Sequence, residues 1–514
     1  MILIVVYLLL FLSISYGYIN KSNNKNNRLT YISSKSKYNN NNNNNLLNSN
    51  SNSNSNSNTC VIVSLNEEKK EELKIVKDKL DKEFITVALP AFVALAADPL
   101  ASLVDAYFVG RLGAAEQAGM GIAISAQYSI AKLYNDPLLK SSTSLVANKS
   151  GDELSASVST AISTAMVIGL LQCIMFLFFT KPIMNFMGVS TTSDMFNSAL
   201  GYMKWRAIGV PAATVLLVSN GIFRGRGDTK TPLYCTVAGN LVNIILDPIF
   251  IFTLNMGCAG AGAATAISQW FTAIPLLYYL NKAIPFQLSG GKDGVLQAAY
   301  KSYGKAGSLL LLRTIAKISA YTVTASAAAR LGTIPMAAYS LTFNLGFATS
   351  QLCESVSVAT QALIARDMPL NTWKKRYAAG HVMNRSLLSG ILVSSALTIF
   401  TLFNQDAVLG GLTTSPEVRN AAASIMPVVL ITQIFKGLAY STGGILLGGF
   451  DWLWSTAGMV TASMICILLT NILQPSSIWN IWVSLASFMA AQVITASLRF
   501  FSNKGPWIGV NVFQ

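Results

Sequence analysis

Charge is scarce in this chain. Of its 514 residues, 11% are Asp, Glu, Lys or Arg, less than half the roughly 25% of an average soluble protein. The charge is also unevenly placed. Thirteen charged residues crowd into Glu67–Glu83, and from Phe84 onward 15 acids and 26 Lys/Arg are spread over more than 400 residues. A soluble fold of that length presents far more charge to water, so the solvent of this segment is lipid. Histidine is limited to His381, which argues against a His-based metal or catalytic centre and leaves that residue with no assigned role. The six cysteines, at 60, 173, 235, 258, 353 and 466, lack CxxC spacing and read as small hydrophobes rather than ligands or staples. A Gly-x-Ser-x-Gly elbow, a His pair and a Gly-x-x-x-x-Gly-Lys phosphate loop are all missing, so the chain is not expected to be an enzyme or to carry an organic cofactor. No nucleic-acid partner is expected, and Arg226-Gly227-Asp228 reads as a turn.

What is present divides into zones. Residues 1–18 form a signal-like hydrophobic leader, ILIVVYLLLFLSIS at its core, without the usual positive n-region. Residues 19–66 are Asn/Ser/Lys-rich, contain SNSNSNSN and have no acid; they cannot bury a core and are expected to be a disordered presequence. Residues 67–83 make a charged helix. Beyond it we expect an all-α polytopic membrane protein of twelve transmembrane helices, six in an N-half (84–283) and six in a C-half (306–502), joined by a loop (284–305) and followed by a tail (503–514). With the start of the first span cytosolic, thirteen Lys/Arg fall in one set of loops and four in the other, a positive-inside bias. That orientation conflicts with a plain cleaved secretory signal. Two readings of the leader stay open: the two-part presequence of a plastid acquired by secondary endosymbiosis, or low-complexity drift. The membrane is accordingly a plastid envelope, or else the plasma or vacuolar membrane.

The halves are related. Arg111-Leu112-Gly113 recurs as Arg330-Leu331-Gly332, an offset of 219, and Gly221-Ile222-x-x-Gly225-x-x-Asp228 recurs as Gly444-Ile445-x-x-Gly448-x-x-Asp451, an offset of 223. Six spans per half is an even number, so the repeats share orientation and their axis lies along the membrane normal. Gly-x-x-x-Gly lets helix backbones approach closely. Two similar bundles facing one another enclose a central cleft.

The stretches ALPAFVALAADPLASLVDAYFVGRLG (88–113), GNLVNIILDPIFIF (239–252), GAGAATAISQW (260–270) and ESVSVATQALIA (354–365) resemble the multidrug and toxic compound extrusion family. The similarity is spread over about 84–500, and ADPLASLVD with the Lys-Leu-x-Asx-x-Pro-Leu-Leu run at 132–139 resembles the plant and plastid-type branch. The resemblance implies a secondary active exporter driven by a proton or sodium gradient.

Charges inside spans cost roughly 2.5–3.5 kcal/mol each on insertion scales and need a reason. Asp98, Asp105, Asp136, Asp247 and Glu354 are such acids, and three of them precede proline, which bends the helix and frees a carbonyl one turn back. The family's N-half cation site uses an Asp in the first span, an Asn and Asp four apart in the fifth and a Thr in the sixth, which match Asp105, Asn243, Asp247 and Thr265. The resemblance thus implies H⁺ or Na⁺ as coupling ion there; the same groups could also simply bind helices together. Bases form stripes as well. Tyr128, Lys132, Asp136 and Lys140 follow one another at intervals of four in span two, as do Arg313, Lys317 and Tyr321 in span seven. With Glu354, Gln361 and Lys436 they are the expected substrate-binding set, and Arg206 was a further candidate. Lys140 and Arg313 could instead snorkel to the interface. A positively lined cleft attracts anions, and the resembling branch includes exporters of citrate and phenolic carboxylates. Hence the expected function is antiport of a small organic anion against H⁺ or Na⁺ by a monomer in the bilayer, with a polyspecific exporter of cationic drugs as the alternative and a channel less favoured.

Overall fold

The computed structural model describes residues 56–186, 191–286, 295–370, 372–413, 415–473 and 477–510. The leader, the presequence before Asn56 and part of the connecting loop lie outside them. All regular structure among the described residues is helical, as lipid requires: a spanning segment must satisfy its backbone donors and acceptors internally.

Each half runs through the same seven helices. The first has α1 (Asn56–Gly110), α2 (Ala114–Ala147), α3 (Gly151–Phe178), the short α4 (Thr180–Phe186), α5 (Asp194–Gly225), α6 (Lys230–Pro248) and α7 (Cys258–Ala283). The second has α8 (Val295–Arg330), α9 (Thr333–Asp367), α10 (Trp373–Phe403), the short α11 (Gln405–Leu412), α12 (Pro416–Gly448), α13 (Trp452–Ile472) and α14 (Ile478–Phe501). Leaving aside α4 and α11, twelve long helices form two pseudo-symmetric bundles. Seven of the described helices are long and apolar enough to cross a membrane by composition alone. The other long ones, α1, α2, α7, α8 and α9, are diluted by small and polar residues, and all but α7 face the partner half.

Two boundaries differ from expectation. The first helix begins at Asn56, inside the segment read as presequence; no proline or glycine intervenes before Pro90, so nothing stops the charged helix from propagating backward. Likewise α8 begins at Val295, within the expected loop, because Ala299, Tyr303 and Ala306 bury a stripe against the N-half.

The duplicated motif proves to be a packing device. Gly221 and Gly225 of α5 lie against the Leu139 and Thr143 carbonyls of α2, and Gly444 and Gly448 of α12 against the Ser357 and Gln361 carbonyls of α9. A side chain at any of the four would collide with backbone. The turns that follow match too, Asp228 N–H donating to the Phe223 carbonyl (2.9 Å) and Asp451 N–H to that of Leu446 (3.1 Å). The side chains then diverge. Asp228 caps α6 through the Lys230 and Thr231 amides, both at 3.0 Å. Asp451 instead accepts from Arg499 Nε (2.6 Å) and Trp507 Nε1 (3.0 Å), docking the tail.

At the Lys/Arg-rich end, the basic end, the two first helices cross over. Leu80, Phe84, Val87 and Phe92 of α1 pack into the C-half with Leu352, Val356 and Val382, while Tyr303 and Ala306 of α8 pack into the N-half with Leu138, Leu145 and Val158. Polar bonds stitch the same seam. Ser144 Oγ donates to the Leu447 carbonyl (2.9 Å), and Gln361 Nε2 to the Lys140 carbonyl and Ser144 Oγ (both 2.8 Å). His381, which the sequence left without a role, has one here. Its Nε2 lies 2.8 Å from Asp81 Oδ1, and Arg385 donates to both oxygens of the same carboxylate. The basic end is therefore closed.

Asp81 precedes the first span. Burial pushes its carboxyl up, but the hydrogen bond from His381 and the charge of Arg385 outweigh that and hold it below its usual range. Its stabilisation is thus complete above the ordinary carboxylate range and is lost as acidification passes through the depressed value. Asp81→Asn should cost about 1.5–3 kcal/mol, the scale of hydrogen bonds to a charged group, read as a lower melting temperature of the detergent-solubilised protein at neutral pH.

Candidate cation site and central cavity

Three of the expected cation residues, Asp105, Asn243 and Asp247, come together in the N-half, and Thr265 is buried on α7, which packs beside α6. Asp105 sits near the end of α1, Asn243 and Asp247 on α6, and Thr265 on α7, and all four are buried, Asp247 completely. The Asp247-Pro248 step ends the α-helix: the chain passes into a π-helical turn, Ile249–Thr253, so the missing proline donor is absorbed by a wider turn. Asn243 Nδ2 donates to Asp247 Oδ1 at 3.3 Å, fixing the carboxylate plane. Asp105 and Asp247 face each other within electrostatic reach. Asp105 Oδ1 and Asp247 Oδ2 are buried without a hydrogen-bond donor, and the Thr265 hydroxyl spends its proton on the Ala261 carbonyl (2.8 Å), leaving its lone pairs free. Buried oxygens with no donor suit a cation, proton or hard metal ion.

Two neighbours were missed or misplaced. Arg206 of α5 was expected to border the central cleft; it stands beside Asp105 instead, its Nε donating to Gln127 Oε1 at 3.0 Å. Tyr202, one turn away and fully buried, borders both acids. Their spacing of four repeats the Tyr128–Lys132 pattern, so a signal was present in the sequence. The Asp98 side chain lies outside the described residues.

Three of the expected substrate residues, Lys132, Lys317 and Lys436, line a cavity of about 710 Å³ between the halves. From the N-half it takes Tyr128, Ser129 and Lys132; the rest of its wall belongs to α8, α9, α12 and α14. Its lining lies toward the Arg330 and Thr333 ends of α8 and α9, away from the sealed basic end. Lys132 Nζ donates to Tyr128 OH (2.7 Å) and rides over the Tyr128 and Phe347 rings. Lys317 lies between Tyr321 and Tyr440, 5.9 and 5.6 Å from the ring centres. Lys436 Nζ donates to the Gly346 carbonyl (2.8 Å). Tyr339 stacks on Phe343, and Trp482, on the same wall, has a buried indole N–H without an acceptor; composition offered no reason to choose this tryptophan from eight.

Below the cavity a smaller recess is lined by Lys140, Arg313, Lys317 and Glu354. Lys140 pairs with Asp136 at 3.2 Å, and Arg313 lies in the field of Asp136 and Glu354. So Lys140 and Arg313 point into the cleft floor rather than snorkelling outward, because the crossing of α1 and α8 buries that end of the cleft. Asp136 and Glu354 are 218 apart, the offset that also separates Leu139 from Ser357 and Thr143 from Gln361; they are equivalent positions of the two halves. Gln361 is corrected. It lies outside the cavity, with its amide donating across the seam, because it is two turns closer to the sealed end than Glu354.

The chain matches the MatE family model twice, over residues 90–249 and 310–474, once in each half. It is 32% identical over 492 residues to Protein DETOXIFICATION 43 of Arabidopsis thaliana, covering 84% of this chain and 92% of that protein. It is 33% identical over 443 residues to Protein DETOXIFICATION 44, chloroplastic, of the same organism, covering 84% of each. A MATE transporter structure from Vibrio cholerae superposes with a TM-score of 0.73 at 16% identity, over 84% of this chain and 99% of the other.

The uncommitted oxygens make a direct prediction. Purified protein should bind a cation in detergent, as proton uptake on a pH-stat or as radioactive sodium. Asp105→Asn and Asp247→Asn should each abolish that binding, and Asn243→Ala should weaken it about tenfold, the effect of losing one hydrogen bond to a charged group. Undiminished binding in Asp247→Asn would contradict the site.

Proposed function

The chain belongs to the MatE family, an integral multi-pass membrane transporter of the antiporter-type exporter class, and we propose that its substrate is a small organic anion with an aromatic or compact carboxylate core, exchanged for a single cation. One observation carries this reading. The cleft presents Lys132, Lys317 and Lys436 on its walls and Lys140 and Arg313 at its floor, against two acids, Asp136 and Glu354. Five positive groups against two leave a net positive field in a low-dielectric cavity, which concentrates anions and repels cations. The aromatic wall of Tyr321, Phe343 and Phe347 offers stacking surface to a ring.

Coupling between the two sites is part of the same proposal. With the basic end sealed and the cavity toward the opposite end, the fold is in its release-side state. A cation taken up between Asp105 and Asp247 removes the repulsion between two buried carboxylates and lets α1 settle against α6. Because α1 also crosses into the C-half at the seal, a shift there bears on the seam that must open to reload the cleft. Cation and substrate then favour opposite orientations, which is the requirement for exchange. Monomeric action is part of the same proposal.

The location is proposed from two supports, the acid-free leader and a relative whose printed name places it in the chloroplast: the plastid envelope. Residues 1–66 fused to a fluorescent reporter should reach the plastid; a purely secretory or cytosolic signal would contradict that.

The charge of the substrate is directly testable. Export of an anion against an incoming cation moves positive charge inward on both legs, whereas a monovalent cationic drug swapped for one proton moves none. In vesicles, transport of salicylate or citrate should therefore accelerate under an imposed inside-negative potential, and Lys317→Gln should raise the apparent KM tenfold or more, about the 1.5–3 kcal/mol of a charged contact. Potential-insensitive transport of a lipophilic cation would select the drug-export alternative.

A further inference from the structure

The seam between the halves carries a second concavity that neither the cavity nor the acid pair uses. It is a crevice of about 320 Å³ enclosed by α2 and α3 of the N-half and α8 of the C-half, with Pro137, Leu138, Ile168 and Leu311 among its walls. Two glycines of α8, Gly304 and Gly307, line it, and a β-carbon at either would meet no atom within 4 Å. The space beside them is therefore empty of protein. Tyr134 and Tyr300, both partly exposed, stand at its margin, with the Tyr300 hydroxyl 2.9 Å from Ser163 Oγ. Most of the wall is apolar carbon, with hydroxyls from Thr164, Tyr303 and Ser308 among it.

Size and charge identify an occupant. Along α8 the lining runs from Tyr300 to Leu311, eleven steps or about 16 Å, close to half of a hydrocarbon core of roughly 30 Å. One residue beyond Tyr300 and Gly304, on the adjoining stripe, Lys301 and Lys305 are exposed, and neither joins an ion pair among the described residues. They lie at the Val295 end of α8, the basic end, where flexible lysine stems reach headgroup level. We propose that the crevice is a lipid site: one acyl chain of an anionic phospholipid lies beside Gly304 and Gly307 while its phosphate sits at Lys301 and Lys305. Since α2 and α3 belong to one half and α8 to the other, that lipid touches both.

The test needs no transport. Purified protein equilibrated with phosphatidylglycerol and phosphatidylcholine in equal amounts is analysed by native mass spectrometry. The wild type should retain one phosphatidylglycerol in several-fold excess over phosphatidylcholine. Gly304→Leu fills space that holds no protein atoms, so it should keep its melting temperature and lose the retained lipid. Lys301→Gln with Lys305→Gln should retain a lipid but lose the preference. Equal retention of both lipids by the wild type, full phosphatidylglycerol retention by Gly304→Leu, or a sterol or second copy of the chain in its place would each overturn the proposal.

Discussion

A charge carried into lipid must be neutralised, left beside water or given an ion to bind, since insertion alone costs roughly 2.5–3.5 kcal/mol. Several intramembrane charges in this fold answer that demand, and the way differs by place. Asp105 and Asp247 keep oxygens free in a dry site. Asp136 and Lys140 neutralise one another. Lys132, Lys317 and Lys436 stay on a cavity wall, their stems against aromatic rings or a carbonyl. At the basic end, Asp81 is held by His381 and Arg385 and Glu83 by Arg366, pairs that knit the two halves, while Asp367 is held within the C-half by Arg366 and Lys375.

Duplication supplied the scaffold, and divergence then separated the tasks. By the offset of 219 the position equivalent to Asp105 is Thr324, and by that of 223 the equivalents of Asn243 and Asp247 are Cys466 and Thr470. Both threonines are buried and bond locally, Thr324 to Tyr339 OH at 3.0 Å and Thr470 to the Cys466 carbonyl at 2.8 Å. The C-half thus has no acid pair at that place, and the released space around Tyr339 became cavity wall. Conversely Lys317 stands where the N-half has Asp98. The N-half alone keeps the buried acid pair, whereas the basic residues of the cleft come from both halves, Lys132 and Lys140 from one and Arg313, Lys317 and Lys436 from the other. At the seal α1 packs into the C-half and α8 into the N-half, so each half holds the first helix of the other.

Much of this was legible because lipid makes sequence unusually explicit. Spans appear as long runs without charge, and in-span acids and bases such as Asp105, Asp247 and the Lys stripes stand out against that background, whereas Asn243 and Thr265 were pointed to by the resemblance to the family. The Gly-x-x-x-Gly copies revealed the duplication since close backbone approach tolerates no side chain. Depth and azimuth were less visible. Gln361 and Glu354 share α9, yet one closes the seam and the other faces the floor. Arg206 sits by the acid pair instead of the cleft, and α8 begins at Val295, eleven residues before the expected 306, because its first turns bury Tyr303 in the opposite half.

Local pattern in the chain therefore determined the helices, the six-plus-six repeat and which residues could bear charge in lipid, because each depends on neighbours a few positions away. The tertiary structure alone decided which charges meet: Asp105 reaches Asp247 across more than a hundred residues, and His381 finds Asp81 across three hundred. Such pairings depend on how helices cross, and the crossings are set by packing between distant segments that no window of sequence contains.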